Sequence, residues 1–151
     1  MKMTYPAYKD SRVYWIQNVP SHWESKRLKF LAKLINNKNE ACTDLQYVGL
    51  ENIESWTGKF FESESIPEGV SNLFEADDVL FGKLRPYLAK VLHAKNGGIC
   101  TSEALVLRSN TLHPHYLFYY LLSKDFIGAV DSSTYGSKMP RASWDFIGNL
   151  P

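Results

Sequence analysis

Long apolar runs are missing from this 151-residue sequence; the longest, such as YLFYYLL at 116–122, fall far below the roughly 18 to 20 residues a membrane-spanning helix needs. The first fifteen residues, MKMTYPAYKDSRVYW, lack an apolar h-region and a small-residue cleavage site, so the reading predicts no export and a cytoplasmic protein. Cysteine is scarce: Cys42 and Cys100 stand more than fifty positions apart and form neither a metal cluster nor a disulfide framework. Glycine-rich phosphate loops are absent too. Gly97-Gly98 lacks the third glycine, the lysine and the helix start that nucleotide binding demands, so no cofactor is expected.

The catalytic options are thin for the same reason. Cys100 with His93 or His113 has no local arrangement favouring a nucleophile and its base, and a free cysteine usually packs inside. His113-Pro-His115 brings two imidazoles close in sequence without a third ligand, so no metal is expected. Asp10, Glu24 and Lys26 have the residue types of a metal-dependent nuclease, but Glu24 is better placed as a helix cap. The nuclease stays as the alternative reading.

Negative charge is also unevenly distributed. The stretch FGKLRPYLAKV, residues 81–91, contains Lys83, Arg85 and Lys90 and no carboxylate, in a chain of net charge +1. Residues 51–78 hold eight carboxylates against Lys59 alone, so the remainder of the chain is strongly basic. Such a division lets one side meet a polyanion while the net charge stays near zero, unless folding interleaves the two regions and cancels the field. Glu75, Asp77 and Asp78 read as a solvated turn before a strand.

Hydrophobic content of 44%, charged content of 22% and an aromatic share of 14% fit one globular domain with a packed core. Residues 1–20 read as an irregular arm. A capping box at Ser21–Glu24, with Leu28, Leu31 and Ile35 at helical spacing, predicts a short helix within 26–36. LQYVGLENI (45–53) reads as a strand, Thr57-Gly58 as a hairpin turn and residues 65–72 as a loop. Residues 78–94 read as two strands broken at Arg85-Pro86, with Arg85 held extended before the proline. Gly97-Gly98 reads as a turn, residues 99–109 as one strand, and Pro114 opens a buried helix through HYLFYYLLSKDFI. Residues 132–143 form a long loop of the kind that carries function. The fold expected is α/β (α+β): a single domain over 1–151, a twisted mixed or antiparallel sheet, a few short helices and long loops.

Two cationic clusters stand out. Lys83, Arg85 and Lys90 flank Tyr87, with His93 and Lys95 beyond, a set suited to phosphate contact with an aromatic beside it. Lys138 and Arg141 lie in the long loop with Tyr135, Ser137 and Ser143, residue types that reach phosphates and base edges alike. Either cluster alone also fits an ordinary solvated surface.

DDVLFGKLRPYLAKV, GGICTSEALVLR, HYLFYYLLS and TYGSKMPRASWDFIGNLP together resemble a target recognition domain from the specificity subunit of type I restriction-modification systems. YKDSRVYWIQNVPSHWESKRLKFL resembles the start of such subunits, although Arg12, Tyr14 and Gln17 depart from the small or acidic residues expected in the arm. The resemblance implies a non-catalytic module that reads one half of a split site in double-stranded DNA through loops and strand ends. It also implies that a methyltransferase subunit, and through it a restriction subunit, supply methylation and cleavage. The chain then corresponds to the first recognition domain, without spacer helices or a second domain. On this reading Gly82 admits a close approach of the backbone, Lys83, Arg85, Tyr87, Lys90, Tyr135, Ser137, Lys138 and Arg141 contact DNA, and Trp56, Lys59 and Asn72 read bases. A fragment that mainly docks protein is a further alternative.

Overall fold

The computed structural model describes residues 7–10, 18–22, 26–40, 46–62, 70–134 and 140–150. Its strands, in chain order, are β1 (Tyr8–Asp10), β2 (Asn18–Pro20), β3 (Lys33–Ile35), β4 (Lys38–Glu40), β5 (Tyr47–Val48), β6 (Val70–Phe74), β7 (Val79–Gly82), β8 (Val91–His93), β9 (Gly98–Cys100) and β10 (Ala104–Arg108). Three helices follow: α1 (Pro114–Leu121), α2 (Lys124–Ser132) and α3 (Trp144–Ile147). β1 and β2 form a small antiparallel ribbon. The remaining strands build two four-stranded sheets, β3-β10-β7-β8 and β4-β6-β9-β5, antiparallel throughout except for the parallel pair β5 and β9.

Successive side chains of a strand point to opposite faces, and both faces of the β3-β10-β7-β8 sheet are covered. Val79 and Phe81 of β7, Val91 of β8, and Leu105 and Leu107 of β10 pack with Leu117, Phe118 and Leu121 of α1 and Phe126, Ile127 and Val130 of α2. The intervening residues Leu80, Leu92, Ala104 and Val106 face the other way, onto Val48, Ile53, Phe74 and Cys100. Burial on both faces is why β7 reads as an unbroken apolar run. Each large side chain so buried contributes about 1.5–3 kcal/mol relative to exposure.

The mixed architecture agrees with the α/β expectation, but the strands divide among three sheets, the β1-β2 ribbon and two of four strands, where one was expected. Several local readings change. Residues 26–36 are not a helix: a 3-10 turn, Leu28–Phe30, leads into β3, whose Leu34 and Ile35 pair with Leu107 and Val106. The open edge of β10 offers this segment ladder hydrogen bonds, and that pairing outweighs the weak helical periodicity. Residues 99–109 are two strands in different sheets, separated where Ala104 N–H donates to Thr101 O (3.1 Å) and Glu103 N–H to Thr101 Oγ1 (3.2 Å). Gly98, placed in a turn by the sequence, begins β9.

The strand predicted over 45–53 stops at Val48. A 3-10 turn, Leu50–Asn52, follows, fixed by the buried Asn52, whose Oδ1 accepts from Gly49 N–H (2.8 Å) and whose Nδ2 donates to Phe61 O (2.8 Å). The hairpin at Thr57-Gly58 is present, closed by an antiparallel bridge between Ile53 and Phe60. Val70–Asn72 belong to β6 and not to a loop. The helix opened by Pro114 is two: Ser123 accepts from Phe126 N–H at the start of α2, and Tyr116 and Tyr119 of α1 face solvent. No helix among the described residues is long and apolar enough to cross a membrane.

Candidate nucleic-acid interface

Beyond β7 the chain leaves its sheet through Lys83–Arg85, and this stretch pairs with the end of the long loop. Leu84 and Arg141 form an antiparallel bridge. Arg85 N–H donates to Pro140 O (2.6 Å), Ala142 N–H to Lys83 O (2.7 Å), and Lys83 N–H to Glu103 O (2.9 Å). The two cationic stretches, distant in sequence, therefore occupy one edge. Tyr135, Ser137 and Lys138 lie outside the described residues.

The side chains on this edge differ in availability. Lys83 is partly exposed, and Tyr87 is 46% exposed. Arg141 lies on Glu103 in a two-pronged ion pair, Nη2 to Oε1 at 2.8 Å and Nε to Oε2 at 2.9 Å. The hydrogen bonds from Arg141 hold the Glu103 carboxyl below its ordinary value against an opposing effect of burial, and the pair pushes the Arg141 guanidinium upward. Glu103 is the residue that sequence reasoning missed, because nothing local links it to a cation 38 positions away. Lys90 is turned inward, its Nζ donating to Leu50 O (2.7 Å) and tying β8 to the 3-10 turn Leu50–Asn52. It adds charge to the edge while its ammonium serves the fold.

Two expectations for this stretch are corrected. Arg85 is not extended: with φ 51° and ψ 64° it is left-handed, and its carbonyl accepts from Leu88 N–H (2.9 Å) in the 3-10 turn Pro86–Leu88. Pro86 disfavours the right-handed helical region for Arg85, and closing the turn against Pro140 selects the left-handed one. Gly82 does not open the backbone to an outside partner. A Cβ there would meet Leu50 Cδ2 at 3.0 Å and Lys90 O at 3.2 Å, so the missing side chain serves internal packing.

The residues assigned to base reading are dispersed. Trp56, 44% exposed, belongs to the hairpin turn and joins the cationic edge through its N–H, which donates to Ala89 O (2.9 Å). Lys59, whose ammonium sits 5.4 Å from the Phe61 ring centroid, lines a separate cleft of about 540 Å³ with His93, Lys95 and Phe74. Asn72 sits in β6 opposite Lys38 and Cys100, with a buried Oδ1 that has no hydrogen-bond partner.

The acidic turn before β7 is not simply solvated. Asp78 is 1% exposed and bound at both oxygens by Arg108, Nε to Oδ1 at 2.7 Å and Nη2 to Oδ2 at 2.8 Å, while Oδ2 also accepts from Glu75 N–H (2.8 Å). Asp78, with Glu75 at 3.5 Å, raises the Arg108 guanidinium above its ordinary value against the effect of burial. Asp77 bonds His93 Nε2 at 2.9 Å. At this turn the acidic and basic regions do interleave.

Of the residues in the enzyme readings, Cys100 does not offer a reactive thiol. Cys100 is buried, and desolvation, followed by the charge of Asp78, pushes its thiol up to about 12. Such a thiol is protonated at neutral pH and unsuited to attack. His93, His113 and His115 cluster, with ring centroids 4.4 and 5.3 Å apart, and His113 Nδ1 accepts from His115 N–H at the start of α1. Among the described residues no group of three side chains could hold a metal ion. Glu24 lies outside the described residues.

No protein-family model matches the chain. It is 26% identical over 157 aligned positions to the type I restriction enzyme EcoDI specificity subunit of Escherichia coli, an alignment covering 97% of this chain and 35% of that protein. The HsdS subunit from Thermoanaerobacter tengcongensis superposes with a TM-score of 0.72 at 22% identity, over 87% of this chain and 37% of that one. A chain from a type I R-M system complex superposes with a TM-score of 0.71 at 23% identity, over 87% and 38%. The two solved structures share the fold. The chain spans about a third of the length of these relatives.

Proposed function

Since the chain is similar along nearly its whole length to a type I specificity subunit, we propose that it is one target recognition domain of such a subunit. On this reading residues 1–151 form a non-catalytic cytoplasmic module that recognises one half of a bipartite site in double-stranded DNA. A methyltransferase subunit, and through it a restriction subunit, act on the DNA so chosen. The observation that carries the reading is the bridge between Leu84 and Arg141, which gathers the cations of two separate stretches on one edge. Polyanion binding needs several cations within reach of successive phosphates, and neither stretch supplies enough alone.

Lys83, Arg85 and Arg141 take phosphates on this reading, with Lys138, Tyr135 and Ser137 following from their place just before Pro140 in the sequence. Lys90 adds to the field without direct contact. Trp56 and Tyr87 supply non-ionic contact, whereas Lys59, which lines the separate cleft, and Asn72, whose Oδ1 is buried in β6, are set aside as base-reading residues. Fluorescence anisotropy on a pool of random duplexes at several salt concentrations tests the proposal. Binding that weakens with salt, and weakens further in Lys83→Gln/Arg85→Gln, supports it. Equal binding by wild type and variant, or none by either, rejects the site.

A further inference from the structure

Four non-glycine residues among those described have a positive φ, and three of them meet at one place: Arg85 (51°), Ala89 (49°) and Trp56 (69°). Arg85 and Ala89 bracket the 3-10 turn Pro86–Leu88, and Ala89 O accepts the N–H of Trp56. L-residues avoid this region because Cβ crowds the backbone, and the usual occupants are glycine and asparagine. Strain of this kind persists only where the surroundings enforce it, and it gathers at sites that bind.

The enforcement is visible at each position. Arg85 is pinned to Pro140 and followed by Pro86. Ala89 is 1% exposed, its methyl in the helix-side core. The turn bearing Trp56 is closed by Gly58 N–H to Glu54 O (3.1 Å) and Glu54 N–H to Lys59 O (2.8 Å). It is also pressed against the core, since a Cβ on Gly58 would meet the Phe118 ring and Val91 O at 2.5 Å. Core burial explains Ala89. It does not explain Trp56, a large ring left 44% exposed on a strained backbone, nor the outward Tyr87 held between the other two left-handed residues.

We propose that the left-handed residues Arg85, Ala89 and Trp56 form a preorganising device that presents the Trp56 and Tyr87 rings as one aromatic ridge beside the phosphate-binding edge, for non-ionic contact with the sugars and base edges of duplex DNA. Ala89 is its positioning residue: it touches no ligand, and its carbonyl locks one turn to the other. The inference rests on the proposed DNA-binding function and adds a part of the site that carries no charge. Fixing two rings before binding lowers the ordering cost that flexible aromatics would incur on contact.

The test uses Trp56→Gly, Tyr87→Ala and Ala89→Gly, with thermal melting and salt-dependent duplex binding measured for each. Glycine at 56 or 89 relieves the backbone, so melting temperatures equal to or above wild type are expected for Trp56→Gly, with little change for Ala89→Gly, where strain relief offsets the lost methyl. Duplex affinity falls about fivefold or more in Trp56→Gly and Tyr87→Ala, as loss of a non-ionic contact to sugars and base edges predicts, and about threefold in Ala89→Gly. The slope of log affinity against log salt stays at the wild-type value in all three, because no cation is lost. Affinities within twofold of wild type, or a Trp56→Gly variant that melts well below it, overturn the inference. If those variants bind normally while Lys83→Gln/Arg85→Gln does not, the ridge fails and the DNA-binding function stands. Absence of duplex binding by the wild type removes both.

Discussion

Leu84 and Arg141 lie opposite one another in a bridge that neither belongs to a regular strand nor joins neighbouring parts of the chain. Its flanking hydrogen bonds, Arg85 N–H to Pro140 O and Ala142 N–H to Lys83 O, turn two basic stretches into a single edge. Under the proposed function, charges on that edge act together on DNA, and each has a distinct expected effect.

Lys83 is the cation with the plainest access to phosphate. Lys83→Gln is expected to weaken duplex binding across all sequences and to lower the magnitude of the salt slope by about one, with melting unchanged. Anisotropy titrations between low and physiological salt measure both quantities.

Glu103 restrains the edge by holding Arg141. Glu103→Gln should release the guanidinium, strengthen duplex binding and steepen the salt dependence, while Arg141→Gln should do the reverse. The ion pair is largely solvated, so either change is expected to leave the melting temperature close to that of the wild type. Because the Glu103 carboxyl is held below its ordinary value of 4.5, the stabilisation is complete above that value and is lost as pH falls through the lowered one. The pair's effect on binding should therefore be flat from pH 7 to pH 5.5.

Asp78 matters to the fold. It is buried, takes both prongs of Arg108 and caps the turn at Glu75, so Asp78→Ala leaves a backbone donor without its acceptor and Arg108 with only the longer contact to Glu75. The expected loss is about 3 kcal/mol in urea denaturation.

Cys100 should be inert in the native protein. In a Cys42→Ser background its thiol is expected to react with a disulfide reagent at pH 8 only at the rate of unfolding. Its folded value of about 12 lies above the ordinary 9.0, so the native state holds the proton more tightly. The resulting contribution to stability is full below pH 9 and declines as pH rises through the interval to 12, which alkaline melting curves would record.

The parts of this fold that were legible in the sequence are those decided by continuous burial. β7, β8 and β10 are short apolar runs because both faces of their sheet are covered, and Pro114 marks a helix start for a local reason. What could not be read depends on distant partners. β3 is a strand only because β10 offers it an edge, and Arg85 is left-handed only because Pro140 closes the turn. The cationic stretches were visible as composition. That Lys90 bonds Leu50 and that Glu103 holds Arg141 were not, since no spacing rule links residues 38 to 40 positions apart.

The bridge at Leu84 also sets an order of events during synthesis. A ribosome delivers the chain from its N-terminus, so β7, β8 and β10 are available to pair well before Pro140–Ala142 emerge. Until then the backbone of Lys83–Arg85 has no partner to close the turn. The backbone contacts that shape the proposed DNA-facing edge can therefore close only after the strands of both sheets have emerged.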